Sequence, residues 1–133
     1  MARQGTLPAV PVDGRGPILI VDDEETILDM LKELLVAEGY EVEVARDGVD
    51  ALDSVTRRPP AVILLDMRMP RMDGWQFAQE LKRRGVNVPV IVMTAAHSAR
   101  QWADEIKADD HLAKPFASLD EVIEKVERLQ PQT

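Results

Sequence analysis

The sequence predicts a doubly wound α/β fold, in which helices cover both faces of a parallel sheet. Short apolar runs of strand length alternate with longer segments whose apolar residues recur at helical spacing. The apolar runs are hydrophobic on both sides of the pleat, which is typical of strands buried on both faces and therefore of a parallel sheet. Five such strand–helix pairs fit into 133 residues, so one domain is expected.

Each strand and helix is predicted from its residue pattern and from the residues that end it. The strands are expected at residues 18–21, 41–45, 61–65, 89–93 and 110–113. The helices are expected at residues 27–35, 48–57, 73–84, 98–107 and from 118 onward. Gly39 and Gly85 follow the first and third helices, where glycine commonly ends a helix. Ser118, with Glu121 three residues later, predicts a capping box for the last helix.

Composition narrows the class of protein and the compartment. The chain has no cysteine, which excludes a disulfide scaffold and thiolate metal sites. No apolar run approaches the roughly 20 residues of a membrane span, so a cytoplasmic protein is expected. The net charge of −8 argues against nucleic acid as a partner. We expect a flexible leader over residues 1–16, the domain over 17–129 and a short tail over 130–133.

Polar side chains stand where four of the predicted strands end. Asp22 and Asp23 follow the first strand, Asp66 the third, Thr94 the fourth and Lys114 the fifth. Taken singly, each has an ordinary interpretation as a helix cap, a turn residue or a solvated charge. The carboxyl ends of parallel strands share one edge of the sheet, so together they predict a site. Three carboxylates without His or Cys favour Mg²⁺, and a nearby Lys and hydroxyl indicate phosphoryl chemistry on a carboxylate nucleophile.

Four stretches of the sequence carry a resemblance to a known family. They are VDDE at residues 21–24, DMRMPRMDG at 66–74, TAA at 94–96 and ADDHLAKPF at 108–116. In this order and spacing they resemble the receiver domains of response regulators in two-component signalling, over about residues 17–129. The resemblance implies a flavodoxin-like three-layer sandwich with strand order 2-1-3-4-5.

The resemblance implies a role for each residue of the phosphoryl site. Asp66 would accept a phosphoryl group from a phosphohistidine of a sensor kinase or a phosphotransfer protein. Thr94 and Lys114 would bind phosphoryl oxygens, and the Lys114–Pro115 peptide would be cis. Such a domain would be a signalling phosphoacceptor rather than an enzyme with a separate substrate.

The resemblance also implies a metal site and an output surface. Asp22, Asp23, Asp66 and the backbone carbonyl of Arg68 would hold Mg²⁺, with Mn²⁺ as an alternative. The Arg68 side chain could also control the access of water to the phosphoryl group. Downstream proteins would bind the face formed by the fourth helix, fifth strand and fifth helix, and phosphorylation could produce a dimer through it. Membrane and nucleic-acid partners are not expected.

Three departures from the family pattern are present. One concerns the residue that acts as a rotameric switch in the family, and the other two concern the region of the fourth helix. His111 stands where the family usually has Tyr or Phe, so it is either a titratable switch residue or an ordinary surface histidine. Lys107 stands where the family usually has Gly, and a positive φ there would cost energy. Only twenty positions separate Thr94 from Lys114, which predicts a short or irregular fourth helix.

Two other functions fit parts of the sequence. A metal-dependent phosphohydrolase would use Asp22 as its nucleophile, because Asp22 to Thr26 loosely resembles a motif of the haloacid dehalogenase family. A pseudo-receiver would bind partners without being phosphorylated. Met1 and the leader favour a stand-alone protein over a piece of a larger regulator, and both remain open.

Overall fold

The computed structural model describes residues 16–130, which form one sheet with helices between successive strands. The predicted leader and tail lie almost wholly outside the described residues. The strands are β1 Ile18–Val21, β2 Val42–Ala45, β3 Val62–Asp66, β4 Val90–Ala95 and β5 Asp110–Lys114. The helices are α1 Glu25–Ala37, α2 Gly48–Arg57, α3 Gly74–Arg83, α4 Ala96–Ile106 and α5 Leu119–Leu129.

All neighbouring strands are parallel, and their order across the sheet is β2-β1-β3-β4-β5. This confirms the predicted α/β sandwich and its strand order. The register aligns Val21 with Leu65, Asp66 with Met93, and Ala95 with Lys114. The carboxyl ends of β1, β3, β4 and β5 therefore lie side by side along one edge, as the sequence predicts.

The two faces of the sheet carry separate apolar cores because side chains alternate along each strand. Leu19, Ile63 and Val92 point to one face, where they pack with residues of α2, α3 and α4. Ile20 and Leu64 point to the other, where they pack with residues of α1 and α5. Every residue of β1 and β3 is buried, which explains why both strands are continuous apolar runs.

The prediction of a short or irregular fourth helix is wrong. Helix α4 has 11 residues, as many as α5, and its exposed start precedes the predicted one by two positions. Residue Ala95 ends β4 and Ala96 begins α4, so strand and helix join directly. The short segment between Thr94 and Lys114 can hold a helix of 11 residues because no loop residues are used between β4 and α4.

The helix ends agree only partly with the predictions. Gly39 and Gly85 have positive φ values of 95° and 74° after α1 and α3, as expected of residues that end helices. At α5, Ser118 accepts a hydrogen bond from the amide of Asp120, while Glu121 pairs with Lys125 at 3.2 Å. The predicted capping box is therefore wrong: Ser118 caps the helix through the amide of Asp120 rather than Glu121, and Glu121 has a cationic partner one turn on.

A capping box occurs instead at α3, where the sequence analysis did not predict one. The carboxylate of Asp73 accepts from the amide of Gln76, and the Gln76 side chain accepts from the amide of Asp73. This reciprocal pair sets the first residue of α3, directly after the loop that follows Asp66. Among residues 16–130, no helix is both long and apolar enough to cross a membrane.

Candidate functional site

The carboxyl edge of the sheet gathers the polar residues that the sequence placed at strand ends. Asp22 follows β1 and is completely buried, whereas Asp23 beside it is exposed. Asp66 is the last residue of β3 and is 6% exposed. One carboxylate oxygen from each of these three residues lies within 4.8 Å of the other two. Residues more than forty positions apart in sequence thus form one acidic cluster.

Lys114 places its ammonium group in the middle of this cluster. Its Nζ donates to Asp22 Oδ2 at 2.6 Å and to Asp66 Oδ1 at 3.4 Å. It also lies 3.4 Å from Glu24 Oε1, a contact that the sequence analysis missed although Glu24 directly follows the acidic pair. Burial alone would lower the pKa of Lys114, but these carboxylates raise it above its ordinary value. The ammonium therefore stays charged and compensates part of the acidic cluster.

Asp66 has an electrostatic environment unlike that of a surface carboxylate. The pKa of Asp66 is raised to about 6, first by burial and then by repulsion from Asp22 and Asp23. The nearby Lys114 acts in the opposite direction without cancelling the increase. A second positive charge at the cluster would favour the ionised form of Asp66, so the site is suited to a cation.

The chemistry of the donor set fits a magnesium ion. All candidate ligands are oxygens, which a hard divalent cation prefers, and no histidine or cysteine belongs to the cluster. The buried Asp22, the exposed Asp23 and the rim residue Asp66 would be the protein ligands. An ion that takes few protein ligands leaves its other positions to water or to phosphoryl oxygens.

A cleft of 510 Å³ opens over the acidic cluster. Its lining joins the edge of the sheet to the start of α4 and consists of Asp23, Glu24, Asp66, Arg68, Thr94, Ala95, His97, Ser98 and Lys114. Thr94 is 6% exposed and lies one register position from Lys114 on the neighbouring strand. A hydroxyl, an ammonium and the carboxylate of Asp66 thus line one open space large enough for a phosphoryl group.

Other residues singled out in the sequence have definite positions. The Lys114–Pro115 peptide bond is cis. The His111 side chain is 38% exposed on β5, with its Nδ1 4.0 Å from Asp110. His97 was interpreted as loop surface, but it lies in α4 and lines the cleft. Its place there could have been inferred from its position three residues after Thr94.

The geometry does not favour Asp22 as a hydrolase nucleophile. Its Oδ2 accepts from Lys114 at 2.6 Å, and its Oδ1 accepts from the amide of Glu24 at 2.9 Å. Both oxygens of this fully buried carboxylate are therefore engaged, whereas Asp66 lines the cleft. The phosphohydrolase interpretation of Asp22 is not supported.

Comparison with known proteins agrees with this site and fold. The family model described as the response regulator receiver domain matches residues 18–127. The chain belongs to the response regulator receiver family. Receiver domains are signalling modules, and an acidic pocket of aspartates is consistent with the phosphoacceptor function of this family.

Relatives of this receiver domain include a longer curated protein and a receiver domain of known structure. The response regulator MprA of Mycobacterium sp. (strain KMS) is 38% identical over 118 residues, which cover 87% of this chain and 51% of that protein. The chain therefore spans about half the length of such curated relatives. The receiver domain of Francisella response regulator 1452 is 33% identical, with a TM-score of 0.79 and coverage of 86% of this chain and 95% of that one.

A second similar structure was solved with a bound ligand. The response regulator TrrA from Thermotoga maritima, in complex with Mg(2+)-BeF, is 34% identical, with a TM-score of 0.75. The match covers 85% of this receiver domain and 97% of that chain.

Proposed function

We propose that this receiver domain accepts a phosphoryl group on Asp66 in the presence of Mg²⁺ and thereby changes its binding to partner proteins. The observation that supports this most directly is the convergence of Asp66, Asp22, Asp23, Thr94 and Lys114 at one open cleft. In this proposal the domain is a signalling phosphoacceptor, and its own phosphorylation and dephosphorylation are the only reactions it promotes.

The chain's own residues would perform most of the transfer step. A carboxylate oxygen of Asp66 attacks phosphorus while the P–N bond of a phosphohistidine breaks, and the leaving imidazole keeps the electron pair and takes up a proton. Lys114, whose Nζ already lies 3.4 Å from Asp66 Oδ1, moves its charge from Asp22 to an oxygen of the transferred group. The Thr94 hydroxyl, which lines the same cleft, donates to another oxygen.

The proposed metal site completes the neutralisation of charge. Mg²⁺ held by Asp22, Asp23, Asp66 and the backbone carbonyl of Arg68 would offset the negative charge that the phosphoryl oxygens bring to an already acidic cluster. Mn²⁺ would serve the same ligand set. The side chain of Arg68 lines the cleft, from where it could limit the access of water to the phosphorylated aspartate.

The partners would be a sensor histidine kinase or a phosphotransfer protein, and a downstream protein bound at α4, β5 and α5. Thr94 and His111 lie on adjacent strands that approach this face, so a movement of Thr94 toward the phosphoryl group could reposition His111. A phosphorylation-linked dimer through the same face is part of the proposal. These partners imply a cytoplasmic protein.

Phosphorylation should be measured directly with a small phosphodonor. The protein is incubated with acetyl phosphate and MgCl₂, and intact-mass spectrometry should show one added phosphoryl group. Borohydride trapping and peptide mapping should locate it at Asp66. The variant Asp66→Asn should not be labelled, because an amide is not a nucleophile of comparable strength, and EDTA should abolish labelling of the wild type.

Two results would contradict the proposal. Labelling of Asp22 together with turnover of phosphate esters would restore the hydrolase interpretation. The absence of any labelling by acetyl phosphate or by a phosphorylated histidine kinase, with a correctly folded protein, would identify a pseudo-receiver. Asp53→Asn, which replaces an exposed carboxylate on α2, is the matched control and should be labelled like the wild type.

A further inference from the structure

The loop between β3 and α3, residues 67–73, is fastened to the start of helix α2 at several points. This loop carries Arg68 and directly follows Asp66, so its conformation bears on the phosphoryl site. Helix α2 lies beside it on the same face of the sheet. The contacts between them are a side-chain ion pair and a backbone hydrogen bond.

The ion pair joins Arg71 of the loop to Asp47, the residue that caps α2. Arg71 Nε donates to Asp47 Oδ2 at 2.7 Å, and its terminal nitrogen donates to Asp47 Oδ1 at 3.1 Å and to Asp50 at 3.2 Å. Two parallel bonds to one carboxylate fix the orientation of the guanidinium as well as its position. Asp47 is buried, whereas the side chain of Arg71 is 56% exposed, so solvent screens this pair in part.

The backbone of the loop meets α2 at a second point beside the ion pair. The amide of Gly48 donates to the carbonyl of Met72 at 2.9 Å. A Cβ atom on Gly48 would lie 2.6 Å from this carbonyl oxygen, so only glycine permits the approach. The end of the loop is therefore held against the first residue of α2 at close range.

Arg71 adopts a backbone conformation that glycine would adopt at lower cost. Its φ is 65°, in the left-handed region where an L-residue has a steric cost that glycine does not have. The residue at this position thus opposes local backbone preference, and the contacts of its side chain with Asp47 and Asp50 offset that cost. This combination indicates that the side chain has a role in holding the loop.

We propose that Arg71 is a positioning residue, whose ion pair with Asp47 holds the β3–α3 loop in the conformation that offers the Arg68 carbonyl and Asp66 to Mg²⁺. The inference rests on the proposed function, because it concerns the same metal site. Arg71 itself does not line the cleft. It acts through the loop, and α2 is thereby coupled to a site at the other end of that loop.

The test is to separate metal affinity from fold stability in the variant Arg71→Gly. Glycine removes the ion pair but also removes the steric cost at φ 65°, so the melting temperature should stay near the wild-type value or increase. Titration calorimetry with MgCl₂ should nevertheless show affinity reduced about tenfold, the lower end of the effect of residues that orient metal ligands. The Mg²⁺ concentration needed for half-maximal labelling by acetyl phosphate should increase by the same factor.

A second variant keeps the helix cap and removes only the charge. In Asp47→Ser the hydroxyl can still accept from the Asp50 amide, so α2 keeps its N-cap while Arg71 loses its carboxylate partner. Its Mg²⁺ affinity should fall like that of Arg71→Gly, and the double variant should fall no further. Arg83→Ala, which breaks an exposed ion pair with Glu80 at the far end of α3, is the control and should bind Mg²⁺ like the wild type.

The outcomes distinguish this inference from the proposed function. Wild-type Mg²⁺ affinity in both Arg71→Gly and Asp47→Ser would overturn the positioning role and leave the proposed function intact. A wild-type protein that neither binds Mg²⁺ nor becomes labelled would overturn both. Loss of affinity in these two variants at unchanged melting temperature, with Arg83→Ala unaffected, is the result that the inference requires.

Discussion

At the scale of single residues, the environment of Asp66 disfavours the ionised form of its carboxyl. Its carboxyl is buried beside Asp22 and Asp23, and Lys114 offers a partly compensating charge. Such an arrangement costs stability in the metal-free protein at neutral pH, because a group with a raised pKa is less easily ionised in the folded state than in the unfolded chain. The same clustering of carboxylates that lowers the stability of the metal-free protein makes the site suited to a cation.

This cost leads to a prediction about Asp66→Asn in EDTA. Because the folded pKa is about 6 and the unfolded pKa about 4, the folded state binds more protons between these values, and stability falls as pH rises through that window. Asn removes the penalty, so at about pH 7.5 the free energy of unfolding should increase by about 1–2 kcal/mol after allowance for partial solvent screening. Urea denaturation at several pH values measures this difference.

The gain in Asp66→Asn should shrink as the pH falls from about 6 to about 4 and should be lost below about 4, where the wild-type carboxyl is protonated in both states. Lys114 keeps its 2.6 Å bond to Asp22 in the variant, so its charge stays paired. Asp53→Asn should show no such pH-dependent gain. A decrease in the stability of Asp66→Asn at neutral pH would mean that the contact with Lys114 outweighs the desolvation of Asp66.

That the polar residues of the site lie together could be predicted from the sequence because each stands at or directly after the end of a strand, and parallel strands end at one edge. Asp22, Asp66, Thr94 and Lys114 are all found there. The partners of these side chains could not be predicted in the same way. That Lys114 approaches Asp22 more closely than Asp66 depends on side-chain rotamers and sub-ångström spacing, on which strand periodicity carries no information.

At the scale of secondary-structure elements, helix α4 ends at a residue with an unfavourable backbone conformation. Lys107 has φ 58° and ψ 44°, in the left-handed region, as anticipated from its place where the family usually has glycine. An L-residue in this conformation is less favourable than glycine by roughly 1 kcal/mol. The cost arises at the amino end of β5, opposite to the phosphoryl site.

Replacing this residue gives a prediction for Lys107→Gly. The free energy of unfolding should increase by about 1 kcal/mol, because glycine adopts the left-handed conformation without the steric cost. Chemical denaturation measures the gain, and labelling by acetyl phosphate should stay at the wild-type rate. Lys32→Gly, at an exposed position within α1, should instead lose about 1 kcal/mol, and equal effects of the two substitutions would contradict the conformational explanation.

The elements were predictable to different degrees for physical reasons. Residues 48–57 were predicted with the bounds that α2 has, because prolines follow the helix closely. The start of α4 was missed, since Ala95 makes no side-chain cap and the transition from strand to helix has no local marker. The capping box of α3 uses Asp73 and Gln76, a variant of the pattern that was sought only at Ser118.

At the scale of the whole molecule, a cation at one edge should stabilise the entire fold. Asp22 and Asp66 lie at the ends of the two fully buried central strands, so an ion that binds only the folded state adds its binding free energy to the stability of the sheet. At a Mg²⁺ concentration of about 100 times the Kd, the gain should be about 2.7 kcal/mol. Thermal and urea denaturation in MgCl₂ and in EDTA measure it.

A general cation effect must be separated from this specific one, because the chain carries a net charge of −8. NaCl at equal ionic strength should produce much less stabilisation than MgCl₂. Asp23→Asn should lose most of the Mg²⁺-dependent gain, whereas Asp29→Asn, an exposed substitution on α1, should retain it. The same gain in all three proteins would indicate screening of surface charge and would argue against a specific metal site.

Strand β4 and helix α4 are connected without an intervening loop. Thr94 and Ala96 are separated by a single residue. A displacement of Thr94 should therefore move the first residue of α4 with it, because no flexible segment lies between them. By contrast, the chain leaving β3 runs through seven residues before α3 begins. The two sides of the cleft should therefore respond differently to a bound group: a displacement of β4 reaches α4 directly, whereas the position of the β3–α3 loop depends on its contacts with α2.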